Sequence, residues 1–285
     1  MRSLLTFFLL TYAVTWTCFF TVLARSSSVG PFLPVLLLYL GTFAPALVAL
    51  VISAWDEGIP GVRALLGRLF EWQAAAGWYL FAIGYMAAIK LTAALAYRLL
   101  TASWPRFGDE AWFAIVFAIP FFTPMQAGEE IGWRGYALPR LAVRFGLARA
   151  SLVLGLIWEF WHLPLFFIPG LPNYGQSFPI FMVGGIALSV AMAWLYSHTN
   201  GSVLLAMLMH SAVNQTVGIV PASVANAASP FALRTSLVGW LTDVLLWIPA
   251  AYFLVRMPRV ELARTEGATA PGSCERADTT GVAPP

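Results

Sequence analysis

The sequence predicts an all-α, polytopic transmembrane helix bundle of about eight spans, and three observations predict it. Sixty per cent of the 285 residues are apolar and 10% are charged, against roughly a quarter charged in an ordinary soluble domain. The apolar residues collect in runs long enough to cross about 30 Å of hydrocarbon as helices. Only helices and closed barrels satisfy their backbone groups in lipid, and these runs exceed the length of barrel strands. The composition excludes a wholly disordered chain. The net charge of +3 is spread between apolar runs, so no nucleic-acid partner is expected and membrane lipid is.

The spans fall at about 3–24, 32–54, 74–97, 112–132, 149–168, 178–197, 201–220 and 236–255. The first opens on Arg2 and closes on Val22-Leu23-Ala24 in the manner of a signal peptide. Its apolar core is longer than the 7–15 residues typical of a signal, so a retained helix is expected. After the second span, Arg63 and Arg68 fall among Val62, Leu65, Leu66, Leu69 and Phe70. That pattern over 56–72 suits an interfacial helix on the cytoplasmic face or an ordinary linker. Lys90, in the third span, is expected to snorkel to an interface. The fourth span is the weakest, because Glu129, Glu130 and Arg134 crowd its end. The fifth carries Glu159 and His162 ahead of Pro164, which is expected to kink it. His198, in the turn after the sixth, is expected to be solvated. His210 and Asn214 lie in the seventh, and Asp243 stands alone in the eighth.

These spans form a single unit over 1–257, with no internal repeat. From Pro258 the chain is rich in Pro, Gly, Ala, Thr and charge, and a disordered tail over 258–285 is expected. Cys18 sits in an apolar run and Cys274 in the polar tail, so neither a disulfide nor a thiolate metal site is indicated. With the N-terminus inside, nine arginines fall on inside segments (Arg2, Arg63, Arg68, Arg140, Arg144, Arg149, Arg256, Arg259, Arg264) and four outside (Arg25, Arg98, Arg106, Arg234). This bias favours a cell-membrane protein with both termini in the cytoplasm.

Ionisable groups inside a bilayer cost on the order of 2.5–3.5 kcal/mol each, so they require a partner or a purpose. Glu130 and Arg134 are four residues apart and can pair on one helix face. Glu129 lies about 100° around the helix from Glu130, so it is left free for chemistry while its neighbour is neutralised. Trp158 stands one turn before His162 and can pack on its ring. His210 and Asn214, also four apart, offer an imidazole and a carboxamide from one face. Each cluster alone can be structural. Jointly, three spans bring two acids, an arginine, two histidines and an asparagine, which supply a general base and neutral electrophilic donors for hydrolysis.

Glu-Glu-x-x-x-Arg, then a motif ending in His, then His-x-x-x-Asn, in that order on membrane spans, resembles the CPBP family of intramembrane proteases. That family includes the CAAX endopeptidases and bacteriocin-processing proteins. The resemblance covers roughly residues 115–220 and extends to the flanking Trp-Arg-Gly-Tyr-Ala-Leu-Pro-Arg-Leu and Trp-His-Leu-Pro stretches. Two features depart from it. Trp158 stands where the family often has Phe, and Glu159 is an extra acid with no assigned role.

The resemblance implies an intramembrane endopeptidase acting on a peptide or membrane-protein substrate. Glu129 would activate water, His162 would hold or polarise it, and His210 and Asn214 would stabilise the oxyanion, with Glu130 anchoring Arg134. A metal version is open, in which Glu129, His162 and His210 ligate zinc. No obligate cofactor is expected, because Asn is an unusual zinc ligand and a natural oxyanion donor. The His-Glu-x-x-His, rhomboid, presenilin and phosphate-loop signatures are absent. A proton- or ion-coupled carrier using Lys90, Glu159, Asp243 and the two histidines, and a non-enzymatic peptide-immunity protein, remain alternatives. Depth sets a condition. In a span starting at Ala111, Glu129 lies about 27 Å along, so convergence with the histidines requires a later start near Pro120 or a longer, tilted helix running through Ala137.

Overall fold

The computed structural model describes residues 2–25, 30, 32–222 and 229–257. The expected tail over 258–285 lies outside the described residues. Among the described residues every regular element is helical: α1 (Arg2–Arg25), α2 (Phe32–Gly67), α3 (Ala76–Thr101), α4 (Trp112–Phe122), α5 (Ala127–Glu130), a π-helix (Ile131–Ala137), α6 (Leu138–Phe145), α7 (Leu147–Trp161), α8 (Phe178–His198), α9 (Val203–Thr216) and α10 (Leu237–Arg256). Six helical stretches are long and apolar enough to cross a membrane: α1, α2 through Phe70, α3, α7 through Phe167, α8 and α10. The seventh expected span is a shorter apolar helix, Val203–Ile219. The fourth is a path of helical pieces. The chain is thus a polytopic helical bundle.

α1 packs along α2, α7 along α8, and α3 against α9, while α10 bridges α8 and α3. The pieces of the fourth path wedge between α2 and α9. α2 breaks at Gly58, whose φ of 67° and ψ of −160° lie in a region essentially reserved for glycine. The helix that follows buries Gly61 and Leu65 and exposes Arg63. Arg68 then donates to the Tyr196 hydroxyl and lies 5.8 Å over that ring. The 56–72 segment is therefore a second, amphipathic helix pinned to the end of α8.

The fourth path meets the depth condition by running on. Pro120 and Pro124 interrupt the α-pattern, a 3₁₀ turn spans Thr123–Gln126, and helical backbone continues to Phe145. Glu129 lies 17 residues after Trp112 (129 − 112) and 16 before Phe145 (145 − 129), at the middle of the path.

The π-helix has a visible packing role. The Leu138 N–H reaches back to the Trp133 carbonyl, five residues earlier, and this wider turn buries Trp133 and Tyr136 completely. Phe7 of α1 meets their rings at 5.6 and 4.9 Å, and Trp161 closes on Trp133 at 5.8 Å. Gly132 permits the π-helix to touch α2: a Cβ there would lie 2.6 Å from the Pro45 carbonyl carbon and oxygen. Backbone cannot move aside as a side-chain tip can. Gly132→Ala is expected to destabilise by about 1–3 kcal/mol, read as a lowered Tm of the detergent-solubilised protein. An unchanged Tm would contradict this close approach.

Candidate active site

Glu129 and Glu130 end α5, where α-geometry passes into π-geometry. Being adjacent on a helix, they point apart and meet different partners. Glu130 is fully buried, and its Oε1 accepts from Arg134 Nη1 at 2.9 Å and from His210 Nδ1 at 2.7 Å. The guanidinium of Arg134, equally buried, lies 4.1 Å over the Trp158 ring. Glu130 thus ties Arg134 to α9 and fixes the orientation of His210.

Glu129 is directed elsewhere. Its Oε2 accepts from Trp158 Nε1 at 2.7 Å, and His162 Nε2 is 3.9 Å from the same oxygen. His162 ends α7, and its Nδ1–H donates to the Trp158 carbonyl at 2.9 Å. A neutral ring held this way presents a lone pair at Nε2. Rings of Trp158, Trp161 and Phe181 enclose it at 5.6, 4.8 and 5.5 Å. His210 is 5.4 Å from Trp158, ring to ring. Trp158 therefore touches Glu129, Arg134, His162 and His210.

Glu129, His162, His210 and Asn214 all line one cavity of about 530 Å³. Glu130 and Arg134 stand behind its wall. Asn214 is the exposed member, with Nδ2 3.5 Å from Gln126 Oε1. Glu159, unassigned from sequence, also lines the cavity: it is 2% exposed and its Oε2 has no hydrogen-bond partner among the described residues.

The snorkelling expected of Lys90 does not occur. Lys90 sits midway along α3, is 1% exposed and turns inward to the same cavity, where Nζ donates to the Val220 carbonyl at 3.2 Å. Asp243 of α10 lines the cavity as well. His198 is exposed at the end of α8, hydrogen-bonded to the Trp194 carbonyl at 2.8 Å and apart from the cluster.

A tetrahedral zinc would require Glu129 and His162 to stand closer together than they do. Two ligands each about 2.0–2.1 Å from a tetrahedral zinc lie roughly 3.3 Å apart. The 3.9 Å between Glu129 Oε2 and His162 Nε2 would need an angle of roughly 145° at the metal, while His210, its Nδ1 held by Glu130, keeps only Nε2 for a ligand. Among the described residues no group of three or more His, Cys, Asp or Glu is gathered to hold a metal ion.

Two hydrogen-bond partners of the predicted residues, Trp158 and Gln126, are not foreseen from sequence. Trp158 packs beside His162 as its spacing predicts, and its indole N–H, one turn before a buried histidine, is a usable signal for the bond to Glu129. Gln126 carries none.

Comparison with known proteins shows a partial similarity. Residues 109–216 match the family described as type II CAAX prenyl endopeptidase Rce1-like. Over 92 residues the chain is 33% identical to CAAX prenyl protease 2 of Methanococcus maripaludis, which covers 30% of this chain and 34% of that protein. The chain thus spans about a third of the length of this curated relative. The matched stretch runs from just before α4 to the end of α9 and contains Glu129, Glu130, Arg134, His162, His210 and Asn214, and over it the chain is similar to the Rce1-like proteins.

Proposed function

We propose that this protein is an intramembrane endopeptidase that hydrolyses a peptide bond of a membrane-associated or peptide substrate, with Glu129 as the base that activates water. The carrying observation is the Glu129 carboxylate, held by the Trp158 N–H and facing His162 Nε2 at 3.9 Å across a cavity wall. Two groups at that separation share one water, each at a hydrogen-bond distance of about 2.8 Å. Glu129 takes a proton from that water as its oxygen attacks the scissile carbonyl carbon. The carbonyl π-electrons move to oxygen, and the tetrahedral intermediate collapses as the C–N bond breaks. The proton on Glu129 passes to the departing amine.

The oxyanion is received by Asn214 Nδ2 and His210 Nε2. Nδ1–H of His210 is committed to Glu130, so a neutral ring would offer only a lone pair at Nε2. His210 therefore serves as an imidazolium, not as the neutral donor expected from sequence. Glu130 balances Arg134 and His210 together. The reading is metal-free.

The archaeal relative is named for CAAX prenyl substrates, so a peptide ending in a prenylated Cys, two aliphatic residues and a variable residue is the first substrate to test. Purified full-length protein in nanodiscs is expected to release a new carboxyl and a new amino terminus, identified by mass spectrometry. No turnover above the uncatalysed background, for this and for unlipidated membrane peptides, would refute the reading.

Trp158→Phe keeps an aromatic ring beside both histidines and removes the N–H from Glu129. A hydrogen bond to a charged group contributes about 1.5–3 kcal/mol, so kcat is expected to fall about ten- to hundredfold with little change in Tm. An unchanged kcat would remove Trp158 from the positioning of Glu129.

Lys90, Glu159 and Asp243 on the same cavity keep a second reading, the ion-coupled carrier. Flux in proteoliposomes without cleavage selects it. The arginine bias supports cytoplasmic termini. In that orientation the links carrying Asn173 and Arg234, which line the cavity, lie on the opposite face of the membrane.

A further inference from the structure

The cavity has a second polar pole that the hydrolytic mechanism does not use. Lys90 of α3 and Asp243 of α10 face it from two packed helices. The Lys90 ammonium has three donors, and among the described residues its hydrogen-bond acceptor is the Val220 carbonyl. Asp243 is its neighbouring charge, yet the two close no ion pair. Asp243 is 9% exposed, and its Oδ2 has no partner among the described residues. Gly184 of α8 makes room for this carboxylate, since a Cβ there would fall 2.6 Å from Oδ1. A cation and an anion, both buried and held apart, present one strong donor group and one strong acceptor towards the same space.

A ligand complementary to that pair carries an anionic acceptor beside an N–H donor. The last residue of a peptide does so: its carboxylate and its own amide N–H are separated by one Cα. Distance agrees. Val220 follows His210 by ten residues (220 − 210) along α9 and its 3₁₀ extension Val217–Ile219, on the order of 15 Å at helical rise. Extended peptide covers about 3.3–3.6 Å per residue, so roughly four residues bridge the two poles. Resting on the endopeptidase reading, we propose that Lys90 and Asp243 form a carboxyl-terminus subsite. Lys90 Nζ binds the terminal carboxylate and Asp243 accepts the N–H of the terminal residue.

The probe is a fluorescent peptide ending in farnesylcysteine–Val–Ile–Ala, made as the free acid and as the carboxamide. Equilibrium binding is measured on the full chain carrying Glu129→Gln, and cleavage on the parent protein. The acid is expected to bind about tenfold or more tighter than the amide, as loss of one charge-assisted hydrogen bond implies. Lys90→Met should weaken the acid alone and erase the difference, whereas Lys90→Arg should keep it. Equal binding of acid and amide by the Lys90-containing protein overturns the subsite without recourse to any Lys90 variant. So does a Lys90→Met protein that still discriminates, or binding of neither peptide. Selective binding of the acid with no cleavage by the parent upholds the subsite and refutes the endopeptidase. Cleavage of acid and amide alike does the reverse.

Discussion

Glu129→Gln is expected to abolish cleavage, lowering kcat by about three orders of magnitude or more while leaving Tm close to that of the parent. The two side chains have the same shape, and a carboxamide oxygen still accepts the Trp158 N–H. What is lost is the capacity to take a proton from water. Stability should change little, because Glu129 closes no short ion pair: its nearest basic group, His162 Nε2, is 3.9 Å away. The measurement is single-turnover cleavage beside a thermal melt of the same preparation. Residual activity within tenfold of the parent would show that another group is the base. The buried Glu159 on the same cavity would then be the first to test.

The Glu130–Arg134 pair should behave in the opposite way, with stability leading. Both side chains are fully buried, so removing one leaves a charge without its counter-charge in a medium that cannot solvate it. Breaking such a pair costs about 3–5 kcal/mol, whereas replacing both partners with apolar groups of similar volume is often neutral. Glu130→Leu is expected to be the worse single change, because it strands Arg134 and His210 together. Arg134→Met leaves Glu130 its bond to His210. The double variant should recover most of the lost stability, and it should stay inactive because nothing then holds His210. Thermal unfolding and cleavage assays on all three separate these effects. A double variant that is both stable and active would reduce Glu130 to a structural residue.

The parts of this protein legible in its sequence are those governed by local spacing and bulk hydropathy. Apolar run length identifies the long helices, and the four-residue interval between Glu130 and Arg134 is enough to foresee their bond. Interactions that depend on how one helix is rotated against another leave no such trace. Glu130 and His210 are 80 positions apart, and nothing in either motif says that α9 turns its imidazole to that carboxylate and not to Glu129. Lys90 departs from its expected place for a related reason. A lysine near mid-helix reads as a candidate for snorkelling, and only the packing of α3 on α9 and α10 points it inward. The π-helix is invisible at the level of residues, because widening a turn changes backbone register and not composition. It is nonetheless what lets the broken fourth path bury Trp133 and Tyr136, with its acids midway along that path.

On α8, Gly184 and Gly185 sit side by side, the first against the Asp243 carboxylate and the second against that of Glu159. Each acid comes from a different helix, α10 and α7, and each occupies room that any other residue type would fill. Two absent methyl groups therefore govern the negative charge of the chamber. A lineage could retune its electrostatics by adding carbon to α8 alone, with every ionisable residue left in place.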